Sequence, residues 1–115
     1  MGAMDPARAV AAMQALGHEA RLDAYRALVR AGSAGLSIAE VQAALDDMPR
    51  STLAHHLNKL VDAGLVAQEK RGAAVVSRAR FEAMDALVAY LTDECCVDER
   101  PASGAPHLGV VAPGA

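Results

Sequence analysis

Leucines recur at i, i+4 and i+7 through Leu53, Leu57 and Leu60, a spacing that gathers them on one stripe of an α-helix. Ser51, Thr52, His55, Lys59 and Asp62 fall off that stripe and form a polar outer face. Ser51 stands where an N-cap is needed and Gly64 where a helix stops. Upstream, Asp5-Pro6 reads as a helix start, with Val10, Met13 and Leu16 on a common side of a helix over Ala7 to Leu16. A second helix runs from His18 or Glu19 to about Ala31, with Leu22, Tyr25, Leu28 and Val29 as its apolar face. Gly32-Ser33-Ala34-Gly35 punctuates the chain as a loop. Ser37-Ile38-Ala39-Glu40 has the form of a capping box and opens a third helix over Ile38 to Leu45, and Asp46 to Pro49 form the turn that follows. Two short helices joined by a tight turn make a helix-turn-helix.

Beyond Gly64, Leu65 to Lys70 and Ala73 to Arg78 read as two strands joined by a two-residue turn at Arg71-Gly72. This hairpin predicts a wing with Lys70 and Arg71 near its tip. A final helix is expected from Phe81 to about Cys96, where Phe81, Met84, Val88, Leu91 and Cys95 share a stripe. So small a domain offers that stripe no partner, and pairing with its like across a two-fold axis would bury it. From Val97 onward Pro, Gly, Ala and Ser dominate. The pattern therefore predicts a mainly α chain with a small β-hairpin, a winged helix-turn-helix that forms a homodimer. Its domain spans 7–96, preceded by a segment 1–6 partly of expression-vector origin and followed by a flexible tail over 97–115.

Composition sharpens this picture. Apolar residues are 53% of the 115 but aromatics only 3%, so alanine and the aliphatics carry a thin core that gains from dimerisation. The net charge of −3 conceals a gradient. Residues 50–80 carry six basic side chains against two acidic ones, whereas 81–99 carry six acidic and no Lys or Arg. A basic middle suits nucleic acid, and an acidic end suits a surface away from it. No apolar run approaches the ~20 residues of a membrane span, and no signal-peptide layout opens the chain. The expectation is a cytoplasmic protein with reduced thiols and no membrane partner.

The run Ser51-Thr52-Leu53-Ala54-His55-His56-Leu57-Asn58-Lys59-Leu60-Val61-Asp62-Ala63-Gly64-Leu65-Val66, together with Ala15-Leu16-Gly17-His18-Glu19-Ala20-Arg21-Leu22 upstream, resembles the ArsR/SmtB family of bacterial winged helix-turn-helix repressors. The resemblance covers roughly residues 7 to 96. It departs at Ala54, where a serine is common, and in a second strand that lacks the family's aromatics. It implies a transcriptional repressor, not an enzyme, that binds double-stranded operator DNA as a homodimer. Arg50, Ser51, Thr52, Ala54 and His55 then lie nearest DNA, with Lys59 and the wing's Arg71 on phosphates. Hydroxyls and imidazole serve either phosphate or base edges. His56 lies closer to the leucine stripe and is assigned a structural role. Lys70, Arg78 and Arg80 stay open between DNA contact and a solvated face.

Cys95 and Cys96 are adjacent where the last helix gives out. In a cytoplasmic protein such a pair is a soft-ligand or redox site before it is a structural disulfide; the alternative is that Cys95 packs in a dimer seam. The resemblance implies trivalent arsenic (arsenite or methylarsenite) or antimonite as an effector on Cys95 and Cys96, with no required cofactor. Arsenite prefers three sulfurs, so water, a small thiol or the other subunit would complete its shell, whereas methylarsenite needs only two. Neighbouring residues on a helix point about 100° apart, so chelation by both is expected to unwind the helix end and shift the recognition helices. A redox- or persulfide-sensing repressor of the same fold is the alternative, and a winged-helix module that binds protein instead of DNA also stays open. A thiol enzyme draws no support, since no phosphate loop, acid pair or C-x-x-C motif is present. His18, His55, His56 and His107 are scattered over different segments.

Overall fold

Asp5 accepts a hydrogen bond from the Arg8 N–H at 2.9 Å, and Pro6, which has no N–H to leave unpaired, opens the first helix. The computed structural model describes residues 4–100. In chain order they form α1 (Pro6–Leu16), α2 (Glu19–Ala31), a 3₁₀ turn (Gly32–Ala34), β1 (Leu36–Ser37), α3 (Ile38–Ala44), α4 (Arg50–Asp62), β2 (Val66–Arg71), β3 (Ala74–Ala79) and α5 (Phe81–Thr92). The three strands make one antiparallel sheet in the order β1-β3-β2. This is the winged helix-turn-helix that the hydrophobic pattern predicts. His107 and the tail beyond Arg100 lie outside the described residues.

The core gathers Leu28 of α2, Val41 of α3, Leu53, Leu57 and Leu60 of α4, and Leu65, Val66 and Leu87, all at most 3% exposed. Burying each such leucine contributes about 1.5–3 kcal/mol. The leucine stripe of α4 is therefore buried as expected. The inward face of α1 is not the expected one. Ala9, Ala12 and Ala15 are buried, whereas Val10 and Met13 are 48% and 42% exposed. Small side chains let α1 sit close to its neighbours, and the larger residues beside them are turned outward. On α2, Tyr25 and Leu28 face inward as expected, but Leu22 and Val29 do not. On α5 the anchor is Leu87, which the expected stripe omits, while Phe81, Val88 and Leu91 are exposed.

Two local features complete the frame. Arg21 Nη1 donates to the Ala15 carbonyl at 3.3 Å, closing the α1–α2 corner where a helix C-terminus favours a cation. The short β1 pairs Leu36 with Ser77 and Ser37 with Val76, so Ser37 both belongs to the sheet and caps α3.

The wing turn is Gly72-Ala73, not Arg71-Gly72, because β2 and β3 pair Arg71 with Ala74. Gly72 has φ +61°, and Ala73 has no positive φ. A positive φ at the first turn position alone is the type II′ arrangement, which calls for glycine there. Arg71 accordingly ends a strand instead of sitting in the turn.

Candidate nucleic-acid interface and thiol pair

The helix-turn-helix is assembled from backbone and amide contacts. Ser37 Oγ accepts from the Glu40 N–H at 3.2 Å and Glu40 Oε1 accepts from the Ser37 N–H at 2.8 Å, a complete capping box. Across the turn, Gln42 Nε2 donates to the Met48 carbonyl at 2.9 Å, and the Asp47 N–H donates to the Gln42 carbonyl at 2.8 Å. Asp46 and Asp47 both take φ +57°, a conformation that aspartate tolerates better than most residues. Pro49, not Ser51, is the N-cap of α4: its carbonyl accepts from Leu53 at 2.9 Å, and Ser51 lies two residues inside, in the first turn. No side chain caps this end, so the N–H groups of Arg50, Ser51 and Thr52 point outward, as anion-binding helix ends do.

Arg50, Ser51, Thr52, His55 and Lys59 are exposed, Ala54 is half-buried, and His56 is buried. The structure thus brings four of the expected DNA residues to the first two turns of α4. Lys59 sits toward α1, in a cleft with Gln14, Arg21 and Asp62. Arg71 is exposed at the wing, where its Nε lies 3.3 Å from Glu69 Oε2. Glu69 also receives Arg78 at 3.3 Å, and Arg80 pairs with Glu82 at 3.4 Å. The basic middle of the chain is therefore partly neutralised by its own carboxylates. Such exposed pairs contribute only about 0–1 kcal/mol and can be exchanged for a phosphate. Arg50, Lys59 and Lys70 make no ion pair among the described residues. Two residues were not singled out by the sequence reading. Asn58 is exposed three residues beyond His55, a position the same helical arithmetic marks. Gln42 carries no such signal, because its role depends on a contact made across the turn.

His56 is 6% exposed and its Nδ1 has no partner. The ring of His18, at the N-cap of α2, lies 4.8 Å away centroid to centroid, and that of His55 5.9 Å away. Burial first, and then the positive fields of His18, Arg21 and His55, hold the His56 pKa below its ordinary value. The folded state therefore binds this proton less readily than the unfolded chain does. Its stabilising contribution is complete above about pH 6.5 and is lost as pH falls below that toward the depressed folded value. Urea unfolding is expected to show a midpoint that drops between about pH 7.5 and 5.5, with a smaller drop in His56→Gln. An equal drop in the two proteins would assign the acid sensitivity elsewhere.

The thiols are not on a helix. α5 ends at Thr92, where Oγ1 donates back to the Val88 carbonyl at 2.9 Å. Cys95, Cys96 and their neighbours form turns, with Glu94 and Cys96 in the left-handed region at φ +62° and +69°. The Cys95 N–H donates to the Thr92 carbonyl at 3.0 Å, and the Glu99 N–H to the Cys96 carbonyl at 3.0 Å. This fold brings the two sulfurs to 3.2 Å, both exposed. The expected unwinding of a helix end is therefore unnecessary, because the backbone already converges the pair. Cys95 likewise does not continue the apolar stripe of α5. The hydrogen bond shared with Cys95, aided by the nearby Glu99 carboxylate, pushes the Cys96 thiol up to about 11. Among the described residues no cluster of three or more His, Cys, Asp or Glu side chains could hold a metal ion, so no third ligand joins the sulfurs there.

Residues 16–69 match a family of helix-turn-helix domains. The fold is similar to that of an ArsR-like transcriptional regulator from Rhodococcus sp. RHA1, 28% identical with a TM-score of 0.65, covering 74% of this chain and 76% of that one. It is also similar to the crystal structure of an ArsR family transcriptional regulator, 23% identical with a TM-score of 0.70, covering 85% of this chain and 98% of that one; this second likeness is one of fold. No curated protein matches the chain. No helix among the described residues is long and apolar enough to cross a membrane. The chain thus carries a helix-turn-helix domain whose fold is similar to that of ArsR-like transcriptional regulators.

Proposed function

We propose that this winged helix-turn-helix chain is a cytoplasmic, homodimeric repressor of the ArsR type, released from operator DNA when a trivalent arsenical or antimonial bridges Cys95 and Cys96. The observation that carries the effector assignment is the exposed sulfur pair, 3.2 Å apart. Soft thiolates suit thiophilic ions. With methylarsenite the balance closes on two sulfurs. Two arsenic–sulfur bonds form, two arsenic–hydroxyl bonds break, and each hydroxyl leaves with a thiol proton as water. Arsenite and antimonite keep one hydroxyl, or exchange it for a thiol supplied in solution or by the other subunit.

Dimerisation is supported by the exposed apolar residues Val10 and Met13 on α1 and Phe81, Val88 and Leu91 on α5, two helices that pack together. A link to the DNA surface starts at the other end of α5. Arg80, immediately before it, donates its N–H to the Leu65 carbonyl at 2.8 Å and its guanidinium to the Gly64 carbonyl at 3.5 Å. Gly64 and Leu65 follow α4 after its C-cap Ala63, so a shift of α5 is felt at the end of the recognition helix. Two half-sites must be met about one helical turn of DNA apart, and a small change of spacing weakens both together.

The redox reading is the second one. Thiolates, not thiols, react with peroxide, and Cys96, pushed up to about 11 by the hydrogen bond with Cys95 and the nearby Glu99, is not the thiol to meet it, so that reading rests on Cys95. The test is selection of a bound sequence from random duplexes, followed by titration of that complex with arsenite, methylarsenite, antimonite and peroxide, with sedimentation to establish the dimer. Release by peroxide alone would replace the arsenical reading with the redox one.

Two residues separate specific from general binding. His55→Ala is expected to weaken operator binding about tenfold or more while leaving thermal unfolding nearly unchanged. Arg71→Gln should weaken binding to all duplexes and lower the slope of log affinity against log salt by about one. Anisotropy titrations at several salt concentrations measure both. Unaltered operator affinity in His55→Ala would remove that residue from the interface.

A further inference from the structure

We infer that Asn58 is the adenine-reading residue of α4, an assignment that rests on the reading of α4 as the helix that enters DNA. Ser51, His55 and Asn58 stand at i, i+4 and i+7 on a line opposite the buried Leu53, Leu57 and Leu60, and all three are exposed. Seven residues of helix span about 10 Å, the rise of about three base-pair steps, so the line addresses successive base pairs along a groove. It ends at the exposed Asp62, whose carboxylate is repelled by phosphates. Asn58 is thus the last neutral hydrogen-bonding residue of the line.

Chemistry then separates Asn58 from its companions. Hydroxyl and imidazole groups bond either phosphate or base edges. A carboxamide presents a donor and an acceptor side by side, the complement of adenine N7 and N6–H₂ in the major groove. The Asn58 side chain makes no hydrogen bond among the described residues, so nothing in the chain competes for that fork. Thr52 and Lys59 flank the line on the side toward α1, where Lys59 shares its cleft with Gln14 and Arg21, which leaves Asn58 the groove-facing position.

The test is binding-site selection from randomised duplexes with the full chain and with its Asn58→Ala and Asn58→Asp variants. The unaltered chain is expected to enrich an adenine at one position of each half-site, with about ten- to hundredfold discrimination over other bases. Asn58→Ala should bind the same site without preference at that position. Asn58→Asp should move the preference to cytosine, whose N4–H₂ donates to a carboxylate. Thermal midpoints should agree across the three proteins, since the residue is exposed. Enrichment by the unaltered chain that Asn58→Ala leaves intact, adenine included, overturns the assignment while the DNA reading stands. An unaltered chain that enriches no duplex overturns the DNA reading and the role of Asn58 with it.

Discussion

Gly35→Ala is expected to destabilise the domain by about 3 kcal/mol or more, a large share of the ~5–15 kcal/mol that holds a protein of this size. Gly35 has φ +71° and ψ −173°, a region open to glycine almost alone. A Cβ there would lie 2.5 Å from the Ser77 carbonyl oxygen, 2.9 Å from Val76 Cγ1 and 3.1 Å from Arg78 Cβ. None of these neighbours is the free end of a flexible side chain. They belong to β3, the central strand, which β1 and β2 hold from both sides. Gly64→Ala is the internal control. It too has a positive φ, +81°, but nothing lies within 4 Å of its added Cβ, so only the left-handed backbone penalty of about 1–2 kcal/mol applies. Urea midpoints of the two variants should therefore differ clearly. Equal losses would show that the approach of Gly35 to β3 is not what constrains it.

The helix-turn-helix was readable in the sequence because its signals are local. Ser37 and Glu40 lie three residues apart and close a complete capping box, and Leu53, Leu57 and Leu60 repeat with the helix and are all fully buried. The inward face of α1 was not readable, for a physical reason. Ala9, Ala12 and Ala15 form one apolar line and Val10 and Met13 another, and periodicity marks both without saying which meets the core. The end of α5 was equally hidden. No glycine or proline stands among Asp93 to Cys96, and the helix stops through the backbonded Thr92 and left-handed Glu94 and Cys96 instead. The neutralisation of Arg71 and Arg78 by Glu69 depends on the β2–β3 register, which a one-residue slip in the expected turn had altered. Residue chemistry at the candidate sites was legible; the geometry that joins Cys95 to Cys96 was not.

Cys95→Ser and Cys96→Ser, singly or together, are expected to abolish release of the operator complex by methylarsenite while leaving operator affinity unchanged. A serine hydroxyl is close in size but is a hard donor that does not hold a thiophilic ion. Both side chains are exposed beyond the end of α5, so the variants should unfold with the parent's midpoint. The pH dependence then distinguishes the kinds of effector. Neutral arsenous acid exchanges hydroxyl for thiol and carries the thiol protons away as water, so its affinity should be flat from about pH 6 to 8. A divalent soft cation such as Cd²⁺ must instead expel protons into solvent. With the Cys96 thiol near 11, the cation's affinity should rise about tenfold for each unit that the pH is raised, per proton displaced. Isothermal titration in two buffers of different ionisation enthalpy measures that proton count directly. Release of the doubly substituted protein by methylarsenite at the parent's concentration would place the effector site elsewhere in the chain. A steep pH dependence for arsenite would mean that the thiols bind it as thiolates, and the acidic turn around Cys96 would then oppose the effector instead of leaving the exchange proton-neutral.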